Sequence, residues 1–250
     1  MKFLLTPLMM AIAAAALSPL ASAATKDMTL PVFSKVNVNV PIDFVVAVGK
    51  KQAFTMEGLD GYLEAISVEV KDGTLVIRKK RRLKMIEKIS VKITMEDLTK
   101  FVINGSSDGK INNVDSKIFA LTISGSGDVV IEGKSDELIV TINGGGNVKS
   151  QSFHSAELSA NINGSGDIAL AGECGNLDLS IRGSGIFSGR DLTCANVNAN
   201  IRGTGKATFY ASSAFELRTN GNSDVNVYGN PKSIQNRSGG SANLVVHEDK

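Results

Sequence analysis

From residue 101 onward the chain repeats one hydrophobic pattern. Apolar positions alternate with small or polar ones up to a glycine, as in Phe119, Leu121 and Ile123 before Gly125. The same alternation gives Leu138, Val140 and Ile142, then Leu158, Ala160 and Ile162, then Leu177, Leu179 and Ile181, then Val197, Ala199 and Ile201. Phe215, Leu217 and Thr219 continue it, and the positions between are mostly Thr, Ser, Asn, Asp or Arg. A period of two is that of a strand with one buried face. After each glycine a shorter alternation follows, as in Val129 and Ile131, Ile168 and Leu170, or Val225 and Val227.

The glycines are evenly spaced. The first glycine of each turn falls at Gly105, Gly125, Gly144, Gly164, Gly183, Gly203, Gly221 and Gly240, in steps of 20, 19, 20, 19, 20, 18 and 19. A unit of that length has no room for the helical crossover of about a dozen residues that joins parallel strands in a βαβ unit. The chain must therefore coil, stacking equivalent strands in parallel so that inward Ile and Leu form ladders no single rung can bury alone. The expected fold class is all-β, a parallel β-helix or β-solenoid with an N-terminal β-rich cap. Eight rungs at about 4.8 Å predict a rod of roughly 38 Å.

The turns read as corners. Glycine permits the positive φ of a tight bend, and Asp128, Asp167, Asp224, Asn147 and Asn243 are placed to form Asx turns with nearby backbone. A Ca²⁺-binding β-roll needs a nine-residue repeat with Asp at every turn, whereas here Ile186 and Lys206 fill that slot in two copies. No metal or other cofactor is expected. Cys174 and Cys194 each lie nine residues before an anchor glycine, Gly183 and Gly203. They therefore occupy equivalent places on adjacent rungs, at a strand spacing a disulfide spans. The alternative is a pair of stacked free thiols.

The N-terminal third lacks the glycine repeat but shows strand patterns over 36–40, 44–48, 66–70, 75–78 and 89–94, with a hairpin turn at Asp72 and Gly73. A solenoid end exposes unpaired strand edges, so this region is expected to cap the first rung. The expected organisation is a signal peptide at 1–23, a cap region at 24–100 and the repeat solenoid at 101–250. Lys79, Lys80, Arg81 and Arg82, followed by Lys84 and Lys88, form the densest charge cluster. It is either a solvated hairpin end that discourages edge pairing or a surface for anionic headgroups or acidic polysaccharide.

Charge and composition narrow the setting. Lys2 precedes an apolar run over residues 3–20 and the small residues Ala21, Ser22, Ala23 and Ala24, a secretory leader with cleavage expected after Ala23. No later segment reaches the ~20 apolar residues of a spanning helix, so the exported product is expected in the periplasm or at the cell surface, without spanning the membrane. Lys and Arg number 27 against 25 Asp and Glu, so the overall charge by itself implies no polyelectrolyte partner, and no nucleic acid is expected.

The run VEVKDGTLVIRKK, the serial ISGSGDVVIEG and INGSGDIALAG turns, and the late Tyr228, Gly229, Asn230 and Pro231 carry a resemblance over residues 33–247. The sequence resembles the family described as putative auto-transporter adhesin head domains, or GIN domains. The resemblance implies a β-helix-like fold and secretion, and attaches no catalytic residues.

Function then divides three ways. A non-enzymatic binding or adhesin-like module would use the outward rows, namely Thr122, Thr141, Asn161, Ser180 and Asn200, and Asn104, Ser124, Asn143, Asn163, Arg182, Arg202 and Asn220. Its expected partner is a cell-surface glycan or an envelope component, although the absence of Trp removes the commonest sugar platform. A structural, self-assembling protein is the second reading, with the oligomeric state open. A polysaccharide-acting enzyme is the third and would need clustered carboxylates. Asp128, Asp167, Asp178, Asp191 and Glu173 sit in turn or ladder slots, His154 and His247 lie far apart, and Arg182 with Arg202 would hold an acidic sugar.

Overall fold

The computed structural model of the protein describes residues 23–80 and 89–248. The leader expectation rests almost wholly on residues outside this set, as do Arg81, Arg82, Lys84 and Lys88 of the basic cluster.

The N-terminal third forms β1 (Ala23–Met28), β2 (Lys35–Asn39), β3 (Ile42–Val48), β4 (Ala53–Leu59), the short helix α1 (Asp60–Glu64), β5 (Ile66–Lys71), β6 (Thr74–Lys79) and β7 (Ile89–Met95). Asp72 and Gly73 both have positive φ, 48° and 69°, and close the antiparallel β5–β6 hairpin as their residue types predict. Parallel coiling already begins here. β2 pairs in parallel with β8 (Lys100–Gly105), and β3 with the start of β9 (Asp108–Gly125). β1, β4 and α1 have no counterpart in the sequence pattern. β4 runs antiparallel to both β1 and β7, and α1 buries Leu63 at the same end.

Beyond β9 the chain runs through β10 (Asp128–Gly144), β11 (Asn147–Gly164), β12 (Asp167–Gly183), β13 (Ile186–Gly203) and β14 (Lys206–Gly221), then β15 (Asp224–Tyr228), β16 (Ser233–Gly239) and β17 (Asn243–Val246). All eight anchor glycines take positive φ, so the eight corners delimit seven coils. Each long strand is parallel to its neighbours, and register shifts such as Val130/Gly133 and Ser150/Phe153 break it into shorter paired segments. Register is strict. Ile123, Ile142, Ile162, Ile181 and Ile201 stack as successive partners and are fully buried. Burying one such side chain contributes about 1.5–3 kcal/mol, and the column of isoleucines ends at Thr219, the partner of Ile201.

The buried apolar residues form one continuous cluster from Phe33 to Val227. Phenylalanines also enter the ladders, and Phe187 stacks on Phe209 with centroids 5.4 Å apart. The last coil differs from the others. β16 pairs with β14 and β17 with β15, but β16 is exposed along its whole length.

Candidate functional site

The glycine corner is a structural joint. A Cβ on Gly164 would strike the Gly144 carbonyl oxygen of the coil before it, and one on Gly166 the Gly146 oxygen. The close approach lets Ser165 N–H donate to Gly144 O at 3.0 Å and Asp167 N–H to Gly146 O at 3.2 Å, and the same pair of bonds recurs at the next corners. These amides are therefore engaged between coils and form no open anion nest. The acidic slot behaves differently from the expected Asx turns. Asp108 accepts from the Asp128 N–H of the next coil at 2.9 Å, Asp167 from the Ile186 N–H at 3.1 Å, and Asp128 from Asn147 Nδ2 at 2.7 Å. The partner lies on the next rung because the corners stack in register, which sets each carboxylate beside the same position of the following coil. Among the described residues no three His, Cys, Asp or Glu side chains converge as metal ligands.

Cys174 and Cys194 are register partners joined by a disulfide, with Cα atoms 4.5 Å apart. Both are buried, so the bond ties β12 to β13 from within the wall.

The row before the anchor glycines aligns as the spacing predicts. Ser124, Asn143, Asn163, Arg182, Arg202 and Asn220 are successive register partners. Asn163 Nδ2 donates to Asn143 Oδ1 at 2.9 Å, and Arg182 Nη1 donates to Asn163 Oδ1 at 3.4 Å. Parallel ladders flank it on the same face. Asn196 donates to Asn176, Asn176 to Glu157, and Asn198 to Asp178, each to the preceding coil. The neighbouring row of Thr122, Thr141, Asn161, Ser180 and Asn200 is half-buried. Arg218 is the partner of Asn200 and is ion-paired to Glu216 at 2.6 Å, and Arg237 stacks on Arg218.

The remaining candidates are dispersed. Lys79 ends β6 and Lys80 follows it, with the Lys80 N–H donating to Ala65 O at 2.8 Å. In the same hairpin Arg78 donates twice to Glu69, at 2.8 and 3.1 Å, and these bonds hold the Glu69 carboxyl below its ordinary range. On a third side Asp115, Lys134, His154 and Glu173 stack, with Lys134–Asp115 at 3.4 Å and His154–Glu173 at 3.6 Å, around a shallow depression of about 480 Å³. Asp178 belongs to the Asn ladder, and Asp191 lies beside Arg190 at another shallow dent. Of the five candidate carboxylates, Asp128 and Asp167 share the corner slot two coils apart, and Asp178, Asp191 and Glu173 lie in three other places.

One arrangement escapes the sequence reading. Tyr228 lies between Arg190, whose guanidinium carbon sits 4.5 Å from the ring centroid, and His247, stacked at 4.2 Å with planes 5° apart. His247 also contacts Asn226 Oδ1 at 2.9 Å. The in-register Tyr210 and Tyr228 were a signal, but the pairing with Arg190 depends on the Gly189/Thr193 register shift within β13, which the repeat does not predict. Both faces of the Tyr228 ring are occupied, so it is a clasp on the last coil and no free sugar platform.

Comparison with known proteins places the chain. The sequence profile of the family described as "Putative auto-transporter adhesin, head GIN domain" matches residues 32–153 and 150–231. No curated protein matches the chain. Among solved structures it is similar to a putative lipid binding protein from Parabacteroides distasonis ATCC 8503, with 21% identity, a TM-score of 0.81 and coverage of 91% of this chain and 97% of that one. It is also similar to a putative adhesin from Parabacteroides merdae ATCC 43184, with 18% identity, a TM-score of 0.82 and coverage of 91% and 96%. A putative adhesin from Bacteroides fragilis NCTC 9343 matches at 22% identity with a TM-score of 0.69, covering 92% and 99%. At such identities these structures establish a shared fold, and the family profile, whose two consecutive matches together span most of the sequence, establishes that the chain belongs to the auto-transporter adhesin head GIN-domain family.

Proposed function

We propose that the protein is an exported, non-enzymatic binding module of adhesin type, working at the periplasmic or outer face of the cell envelope. The observation that carries this reading is the flat solvent face on which Asn143, Asn163, Arg182 and Arg202 are held in register by the coils beneath them. Such a surface presents donors and acceptors at a fixed strand spacing of about 4.8 Å, which suits an extended, hydroxyl-rich ligand better than a small molecule in a pocket. Three of the five candidate carboxylates are committed to structural work, Asp128 accepting from Asn147, Asp167 from the Ile186 N–H and Asp178 from Asn198. The buried disulfide fits an oxidising compartment, and membership of the family supports export. A glycan array together with a cell-adhesion assay tests the reading. Binding in either supports it, and silence in both removes it.

A second reading, assembly with further copies, draws on the exposed β16 strand and on Ile234, Val245 and Val246, which are 42%, 38% and 42% exposed. Light scattering over a concentration series separates the two, since a monomer throughout excludes assembly.

A further inference from the structure

The ladders on the broad polar face share one direction, each side chain donating to the coil before it. Along the anchor row that chain of donors runs from Arg182 to Asn163 and from Asn163 to Asn143. It breaks at the next step. Arg202 is the register partner of Arg182, so the place where it would find an acceptor holds a second guanidinium. Among the described residues Arg202 has neither a carboxylate nor a hydrogen-bond partner, and like charges directly opposite on neighbouring strands repel.

The break does not stand alone. Arg218 is the partner of Asn200, and Arg237 the partner of Arg218, so guanidinium side chains occur on four successive strands of this face, β12, β13, β14 and β16. All four are exposed. Acidic groups on the face are Glu216, bonded to Arg218, Asp178, engaged by Asn198, and, toward the coils before Arg182, Glu157, which accepts from Asn176, with its register partner Glu137. The amides of Asn163, Asn200 and Asn220 lie next to the arginines in the same two rows. A planar guanidinium fork matches a carboxylate in two parallel bonds, and flanking amides suit hydroxyl groups. Among the described residues no aromatic side chain belongs to these two rows to stack on bases.

We propose that the Arg182–Arg202 break, with Arg218 and Arg237 beside it, binds the carboxylates of an acidic polysaccharide lying along the solenoid axis. This rests on the reading of the chain as a binding module and names the ligand class of that module's polar face. Bound carboxylates would supply the acceptors that Arg202 lacks and relieve the repulsion between the stacked cations.

The test uses the full chain as exported. Binding of polygalacturonate fragments, of neutral dextran and of vesicles containing anionic phospholipid is measured for the wild type, Arg202→Gln and the Arg182→Gln/Arg202→Gln double variant. The expected result is salt-sensitive binding of polygalacturonate alone, weakened about tenfold or more by Arg202→Gln. Melting temperature of the unliganded variant is expected to be unchanged or raised, because a repulsive cation is removed. Unchanged polygalacturonate affinity in the double variant overturns the proposal, as does equal binding of dextran or preference for the vesicles. A protein that adheres to cells or binds neutral glycans but does not bind polygalacturonate overturns the proposal while leaving the adhesin reading intact. One that binds no glycan and no cell removes both.

Discussion

At the residue scale the corner glycines are not equivalent, and the difference is testable. Gly164 has φ 136° and lies against the Gly144 carbonyl, so Gly164→Ala combines strain with a backbone clash. Its expected cost is about 2 kcal/mol or more, read as a lowered denaturation midpoint. Gly145 carries no such φ and a Cβ there meets only Ser165 Oγ at 3.6 Å, so Gly145→Ala is expected to change stability by less than about 0.5 kcal/mol. Ser107 is the corner where a side chain does the joining. Its hydroxyl accepts from Ile42 N–H at 3.2 Å and donates to Val40 O at 2.8 Å, all buried. Ser107→Ala would leave both groups unpaired and is expected to cost about 1–3 kcal/mol. Glu69, held below its ordinary range by Arg78, gives stability present above the unfolded glutamate value of about 4.3. That contribution is lost as the pH falls through the lowered folded value, so the melting temperatures of wild type and Glu69→Gln should converge in acid. The glycine spacing made the corners legible in the sequence. The reach of Asp108 and Asp167 to the next coil was not, because it depends on how closely two corners stack.

At the element scale, strand identity and register followed from the alternation, since a one-residue slip would turn every Ile of the Ile123–Ile201 column outward. The Cys174–Cys194 pairing follows from the same register. Closing a loop of about this size stabilises by roughly 3 kcal/mol. Cys194→Ser is therefore expected to lower the unfolding free energy by that order, and non-reducing peptide mapping should recover the two cysteines in one cross-linked fragment. The elements the sequence missed, β1, β4 and α1, belong to the antiparallel end, where no repeat enforces a period and tertiary packing of residues such as Leu63 and Met56 decides the structure. The Arg182–Arg202 stack was legible from a spacing of 20, whereas the Arg218–Arg237 stack was not, because it requires β16 to resume pairing with β14 after a loop.

At the scale of the whole molecule, each coil touches chiefly its neighbours, so stability is a sum of nearest-neighbour terms and the two ends contribute unequally. β16 is exposed along its length while the first coil is covered by β1, β4 and α1. Hydrogen exchange should accordingly begin at β16 and β17 and reach the Ile162 and Ile181 coils last; uniform protection from end to end would contradict this. The sameness of the corners has a further consequence for how such a molecule changes over generations. Ser165 N–H lies 3.0 Å from Gly144 O, so the chain returns to nearly the same point after one circuit. Excising residues 145–164 would join Gly144 to Ser165 and leave every later side chain on the side it already occupies. Length in this architecture is counted in whole circuits, and a lineage can lengthen or shorten its reach by duplication or loss of one circuit while most intermediate insertions are rejected.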